Sequence, residues 1–266
     1  MPPADGSLVH LPTTTRCGEC GLWRRCLGES GRSDALLALA RLIGTRAPLD
    51  AGEVLYHQGE RMRSVYLVQS GSLKSVAVFA NGTEQVLAFH GPGSWIGFDG
   101  VGEARHSCRV EALERTRLCA LQWTAAQELA LRNPMVQRRL FEAIGSEALA
   151  TQRHMEMMAC PAPRRVARFL MEQSLCRQRI GLDPLAYELS MCREDIASYL
   201  GLAEETTCRQ FTRLQEDGAL RVDRRLVRIL DLERLAQLGG CSRSWAALTE
   251  AVGTEAIGRT DLRKAC

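Results

Sequence analysis

The period of the apolar residues changes once along this chain, at Pro134, and that change sets what the chain can fold into. From Pro48 to about Trp123 the apolar residues come in short or alternating runs: Val54–Tyr56, Val65–Val68, Leu73–Phe79 and Gln85–Phe89. Gly52, Gly59, Ser70-Gly71, Asn81-Gly82 and Gly91-Pro-Gly93 separate them. Alternation marks strands with one buried face, and Asn-Gly between two such runs is a strong hairpin signal. Many short strands at near-regular spacing build a barrel, roll or sandwich. After Pro134 the period is helical for about 25 residues. Phe141, Ile144, Ala148, Thr151, Met155 and Met158 recur every three or four places. A long helix with so narrow an apolar seam is expected to pair with a symmetry mate, which makes these six residues candidate homodimer contacts.

Pro161-Ala-Pro163 breaks the helical pattern and marks a domain boundary. Beyond it, Arg164–Arg179 reads as an amphipathic helix with Val166, Phe169, Leu170 and Leu175 inward. Glu188–Ser190 precedes a compact unit: a short helix Arg193–Leu200, a turn at Gly201-Leu202, and a second helix Glu204–Asp217 ended by Gly218. Leu220–Val222 and Leu226–Ile229 then form a hairpin around Asp223-Arg224-Arg225. Helix, turn, helix and hairpin make a winged helix. Near the N-terminus, Asp34–Ile43 reads as a helix with Ser33 as its cap and Gly44 at its end. The expected organisation is α+β. Residues 1–31 carry a cysteine cluster, with residues 1–16 reading as disordered. A β-roll sensor domain covers 32–133, a dimerisation helix 134–160, a winged helix-turn-helix 161–240, and a tail of unassigned role 241–266.

A chain of 266 residues holds two ordinary domains, and 45% hydrophobic with 24% charged residues is the composition of a soluble globular protein. With neither an apolar run that spans a bilayer nor a hydrophobic signal core, a cytoplasmic protein without a membrane partner is expected. The net charge of +3 does not by itself point to nucleic acid. Almost every cation is arginine, Lys74 and Lys264 being the exceptions. Eleven cysteines, an odd number, argue against a disulfide framework and for metal binding, reactive thiols or small buried residues. Cys17, Cys20 and Cys26 are clustered, and soft thiolates at this spacing suit an iron–sulfur cluster or zinc, with a fourth ligand drawn from the roll. The scattered His57, His90, His106 and His154 read as surface or satisfied core residues rather than haem ligands. Without a nucleophile–base motif, phosphate loop or acid pair, an enzyme is not expected.

Within the second helix of the winged unit, Glu205, Cys208 and Arg209 stand at i, i+3 and i+4, on one face near the N-terminal end. That end of a recognition helix enters the major groove. Arg209 can donate two hydrogen bonds to guanine, and the Glu205 carboxylate can accept one from cytosine N4. These residues, with the runs Gly52–Gly59 and Val65–Lys74, resemble the Crp–Fnr regulator superfamily over residues 17–240. The resemblance implies a cyclic-nucleotide-binding-like jelly roll, a long dimer helix and a winged helix that binds double-stranded DNA as a homodimer. It also implies contact with RNA polymerase through roll loops, with the Asn81–Gln85 hairpin as the candidate.

The Fnr branch reads a TTGAT-like half-site through Glu, Ser and Arg. Glu205 and Arg209 match, while Cys208 stands in place of the serine, and a thiol is a poor donor. Cys192 sits at an N-cap position usually held by threonine and Ala203 at another, so both helix starts are expected to be weak. The branch holds a [4Fe–4S] cluster with three N-terminal cysteines at this spacing and one on a late strand; the matching positions are Cys17, Cys20, Cys26 and Cys119, while Cys108 matches no ligand. Gly93–Cys108 lacks the glutamate and the Arg-Ser/Thr pair of the nucleotide-binding Crp branch, so no cyclic nucleotide is expected. The function implied is oxygen sensing through the cluster, which controls dimerisation and DNA binding. The alternatives are another effector (zinc, nitric oxide or a nucleotide) or constitutive DNA binding.

Overall fold

The computed structural model describes residues 34–240, which divide into two compact units at Gln152/Arg153. The first opens on α1 (Asp34–Arg41) and β1 (Ile43–Thr45). Then come β2 (Val54–Tyr56), β3 (Ser64–Ser70), β4 (Leu73–Val78), β5 (Glu84–His90), β6 (Trp95–Ile96), β7 (Arg109–Ala112) and β8 (Arg117–Gln122). Helices α2 (Trp123–Arg132) and α3 (Pro134–Met158) follow, and the unit boundary falls inside α3. The strands form two antiparallel four-stranded sheets, ordered β1-β8-β3-β6 and β2-β7-β4-β5. This is the expected α+β arrangement of a jelly roll followed by long helices. The Asn81-Gly82 hairpin is there: β4 pairs with β5, Gly82 has φ +81°, and the Asn81 carboxamide accepts from the Thr83 amide.

Two apolar layers share the first sheet. Val68, Ile96 and Leu118 face Leu55, Leu73 and Val110 of the second sheet and fill the roll. Val65, Leu67 and Leu121 face outward against Leu39 of α1, Ala126 of α2, and Val136, Leu140 and Ala143 of α3. Strand β3 therefore alternates between two cores instead of between core and water. One expectation is corrected here. The N-terminal helix ends at Arg41 rather than running to Ile43, because Ile43, Gly44 and Thr45 pair with Leu121, Ala120 and Cys119 of β8. Ladder hydrogen bonds along a buried strand outweigh two further residues of helix.

The second unit takes the last turns of α3, then α4 (Ala162–Arg179), β9 (Ala186–Glu188), α5 (Arg193–Leu200), α6 (Glu204–Glu216), β10 (Leu220–Asp223), β11 (Leu226–Ile229) and α7 (Leu232–Gly239). Strands β10 and β11 form the expected hairpin, and β9 adds a third strand through Tyr187 opposite Val227. The Tyr187 hydroxyl donates to the Leu170 carbonyl at 2.8 Å, tying the wing sheet to α4. Val166, Phe169 and Leu170 are buried as expected, while Leu175 is half-buried.

Inside the roll, Asp99 gathers a polar group. It accepts from the Tyr56 hydroxyl (3.2 Å), the Ser107 amide (2.8 Å) and hydroxyl (3.3 Å) and the Cys108 thiol (3.6 Å), and His106 Nδ1 lies 3.2 Å from it. Burial pulls the Asp99 carboxyl upward, but the bonds from His106 and Ser107 outweigh it and hold the group below its ordinary range. Glu147 of α3 has a buried Oε2 with no hydrogen-bond partner among the described residues. Burial and the Asp99 charge push its pKa up to about 7. The charged form is the one the fold disfavours, so the penalty is absent below the ordinary pKa of 4.5, grows as pH rises from there to about 7, and is fully present above it. Glu147→Gln should raise stability by about 1–3 kcal/mol at pH 8 and change little near pH 4, read from urea unfolding at both pH values.

Candidate functional site

The recognition surface is built by the turn between α5 and α6. Gly201 closes α5 in the left-handed region at φ 59°, which glycine adopts without a Cβ clash, and Leu202 turns back with its amide on the Ala197 carbonyl. Helix α6 buries Thr207, Phe211 and Leu214 and turns Glu205, Cys208 and Arg209 to solvent. The i, i+3, i+4 reading thus puts all three on one exposed face in the N-terminal half of the helix. Glu205 makes no hydrogen bond or ion pair among the described residues, which leaves its carboxylate available to a donor. Arg209 is braced, its Nη2 donating to Thr206 Oγ1 at 3.2 Å. Thr206 is a contact that residue-by-residue reading missed, although its i, i+3 spacing from Arg209 was in plain view.

Both helix starts have the weak caps expected of them. Ala203 makes no side-chain bond. Cys192 Sγ accepts from the Asp195 amide at 3.4 Å and faces the Asp195 carboxylate at 3.2 Å. A second missed residue is Arg193. Its guanidinium lies 4.0 Å over the Phe211 ring, and its Nη2 donates to the Arg224 carbonyl in the wing turn at 3.4 Å. Cation–π stacking of this kind orients α5, α6 and the wing together.

Of the four expected cluster ligands, Cys17, Cys20 and Cys26 lie outside the described residues. Cys119 is half-buried on β8, opposite Leu67 and Thr45, and packs with Leu121 against the layer that holds α1. Cys108 is buried beside Asp99, and burial followed by the Asp99 charge pushes its thiol up to about 12, far from thiolate character. Among the described residues no group of three or more His, Cys, Asp or Glu side chains is arranged to hold a metal ion. No helix among them is long and apolar enough to cross a membrane.

Of the candidate seam residues, Phe141, Ala148, Thr151 and Met155 are exposed on α3. Ile144 packs partly against the roll's helical layer, and the Met158 methyl lies against Gly201. The four exposed residues span one face of the helix, and Leu149, 45% exposed, flanks it.

Residues 46–133 match the cyclic nucleotide-binding domain model and residues 164–238 the Crp-like helix-turn-helix domain model. The transcriptional activator protein Anr of Pseudomonas protegens is 35% identical over 227 residues, 85% of this chain and 93% of that protein. The chain belongs to the Crp–Fnr superfamily of transcription regulators, in its Fnr branch. The fumarate and nitrate reduction regulatory protein of Escherichia coli is 29% identical over 244 residues, 91% of this chain and 95% of that protein. Among solved structures, FixK2 from Bradyrhizobium japonicum superposes with a TM-score of 0.69 at 26% identity, over 76% of this chain and 99% of that one. Crp–Fnr regulators bind DNA through this helix-turn-helix and act as dimers. In this member the α5 cap is a thiol, a weaker acceptor than a hydroxyl. Cys192→Thr should stabilise the second unit by about 0.5–1 kcal/mol, seen as a higher unfolding midpoint in denaturant.

Proposed function

We propose that this chain is an oxygen-sensing transcription regulator. It reads a TTGAT-like palindrome with Glu205, Cys208 and Arg209, and a [4Fe–4S] cluster on Cys17, Cys20, Cys26 and Cys119 controls its dimerisation. The observation that carries the DNA-reading half is the solvent-facing set on α6, with an unpartnered glutamate next to a braced arginine. A carboxylate among DNA phosphates is repelled unless a base donor such as cytosine N4 meets it, so its exposure there serves specificity.

For the sensing half, the donor chemistry fits: four cysteines, with Cys119 half-buried on the face where α1, the element following the N-terminal cysteines, packs. Cys119 suits the fourth place better than Cys108, whose thiol is held protonated beside Asp99. A cluster held there supplies an oxygen-labile tie between the N-terminal segment and the roll. The chain's own residues do the rest. Residues 134–160, helical over Pro134–Met158, serve dimerisation, with Phe141, Ile144, Ala148, Thr151, Met155 and Met158 as the seam. A dimer engages two half-sites at once, so its loss lowers affinity without any change at the reading face. Asp99 and Glu147 of α3, close enough to Asp99 for that charge to raise its pKa, put two carboxyl groups by this part of the roll, which disfavours a nucleotide phosphate. The Asn81–Gln85 hairpin, beside the exposed Phe79 and Leu87, is the proposed contact for RNA polymerase.

Anaerobic reconstitution should give a brown protein with about four irons per monomer. Cys119→Ser should abolish the colour and Cys108→Ser should retain it. A colourless zinc protein whose DNA binding ignores air would rule the sensing half out. Independently, Glu205→Ala should relax base preference in a binding selection more than it lowers non-specific affinity. A uniform loss across all sequences would contradict the readout role.

A further inference from the structure

Helix α4 begins against the usual electrostatic rule. Its first turn carries no acidic residue and holds Arg164 and Arg165, cations placed at the positive end of the helix dipole. Such a local conflict persists where the surrounding structure makes it worthwhile. Here the charges answer other helix ends. Arg165 Nε donates to the Cys160 carbonyl at 2.7 Å, just past the end of α3. Its Nη1 donates to the Leu200 carbonyl at 2.8 Å, with the Gly201 carbonyl at 3.4 Å, at the C-terminus of α5. Arg164 packs at the end of α7 without a hydrogen bond to it: a Cβ on Gly240, the C-cap of α7, would fall 2.6 Å from Arg164 Nε. The carbonyl ends of two helices thus meet one cation in the first turn of a third.

Two apolar contacts lie beside the Arg165 bridge. A Cβ on Gly201 would fall 2.5 Å from the Met158 methyl, so the glycine of the turn is what lets the end of α3 approach. One turn earlier, the His154 ring stacks on Tyr199 of α5, with centroids 4.2 Å apart and planes at 27°. The last turns of α3 therefore touch the first helix of the helix-turn-helix and its turn directly at His154 and Met158, and Arg165 of α4 bridges the two.

We infer that Arg165 is a positioning residue for DNA binding: by spanning the ends of α3 and α5 it fixes the orientation of the helix-turn-helix against the last turn of α3. In a dimer joined along α3, that orientation sets the distance between the two recognition helices, and hence the spacing of half-sites the protein accepts. The inference rests on the dimeric DNA-reading function proposed above. Arginine suits the task because its planar fork reaches two carbonyl groups at once, which a lysine ammonium does so less well.

The test is a binding selection on full-length, anaerobically purified protein, using operators whose half-site sequence and spacer length are both varied. The wild type should bind its preferred spacing, about one helical turn centre to centre, at least about tenfold more tightly than the same half-sites one base pair further apart. Arg165→Met should reduce that discrimination below about threefold while the base preference within each half-site stays unchanged. Arg165→Lys, which keeps the charge and guards against failure to fold, should fall between the two. A lowered unfolding midpoint with spacing discrimination intact in both variants would overturn the inference and leave Arg165 a purely structural residue. A wild type with no half-site preference at all would overturn the DNA-reading function, and this inference with it.

Discussion

Strand β3 is buried on both faces, and the first unit is organised around that constraint. Tyr66 and Val68 point into the roll, while Val65 and Leu67 point to the helices. A strand in this position has no solvent face on which to place charge, so its register is strongly specified: a slip by one residue would exchange the two cores. Its neighbour β8 inherits the alternation, with Leu118 inward and Leu121 outward. Cys119 shares the outward face with Leu121, toward α1, while Cys108 belongs to the inter-sheet layer. The outward placement of Cys119 follows from strand parity, whereas Cys108 sits just before β7.

The second unit solves a different problem, that of keeping a small helical domain precise with few strong caps. Neither Ala203 nor Cys192 provides the hydroxyl or carboxylate that usually starts a helix well. Order comes instead from guanidinium groups acting between elements: Arg165 on the ends of α3 and α5, and Arg193 on a ring of α6. The near-absence of lysine in the sequence has a structural counterpart in these places. A flexible ammonium presents neither a planar face to an aromatic ring nor a fork to two carbonyl oxygens.

How legible all this was varied with the range of the forces involved. The roll strands, the Asn81-Gly82 hairpin and the pair α5 and α6 could be read directly, because side-chain period and glycine placement are local properties. Strand β1 could not: Ile43 continues the apolar period of α1, and only pairing with distant β8 draws it into the sheet. Helix α2 starts directly after β8 without a capping side chain at Gln122, so no local signal announces it. Helix α7 did carry its signals, Asp231 before it and Gly240 after it. At the reading surface, helical spacing brought Glu205, Cys208 and Arg209 to one face. Arg165 and Arg193 were invisible as functional candidates because their partners are backbone carbonyls and a buried ring, neither of which leaves a motif.

The bridge made by Arg193 also bears on the mechanics of the reading head. Its face is occupied by Phe211 and one edge by the Arg224 carbonyl at the tip of the wing. From the other side, the Val222 amide is held by the Gln215 side chain at the far end of α6. The wing is thus braced to the recognition helix at two separated points, like a lever pinned twice. A load applied at the wing tip would therefore be passed to α6 rather than taken up by the hairpin alone. Under the DNA-reading function proposed above, a phosphate contact at the wing, which carries no sequence information, would bear on the exposed side chains of α6 through these two braces.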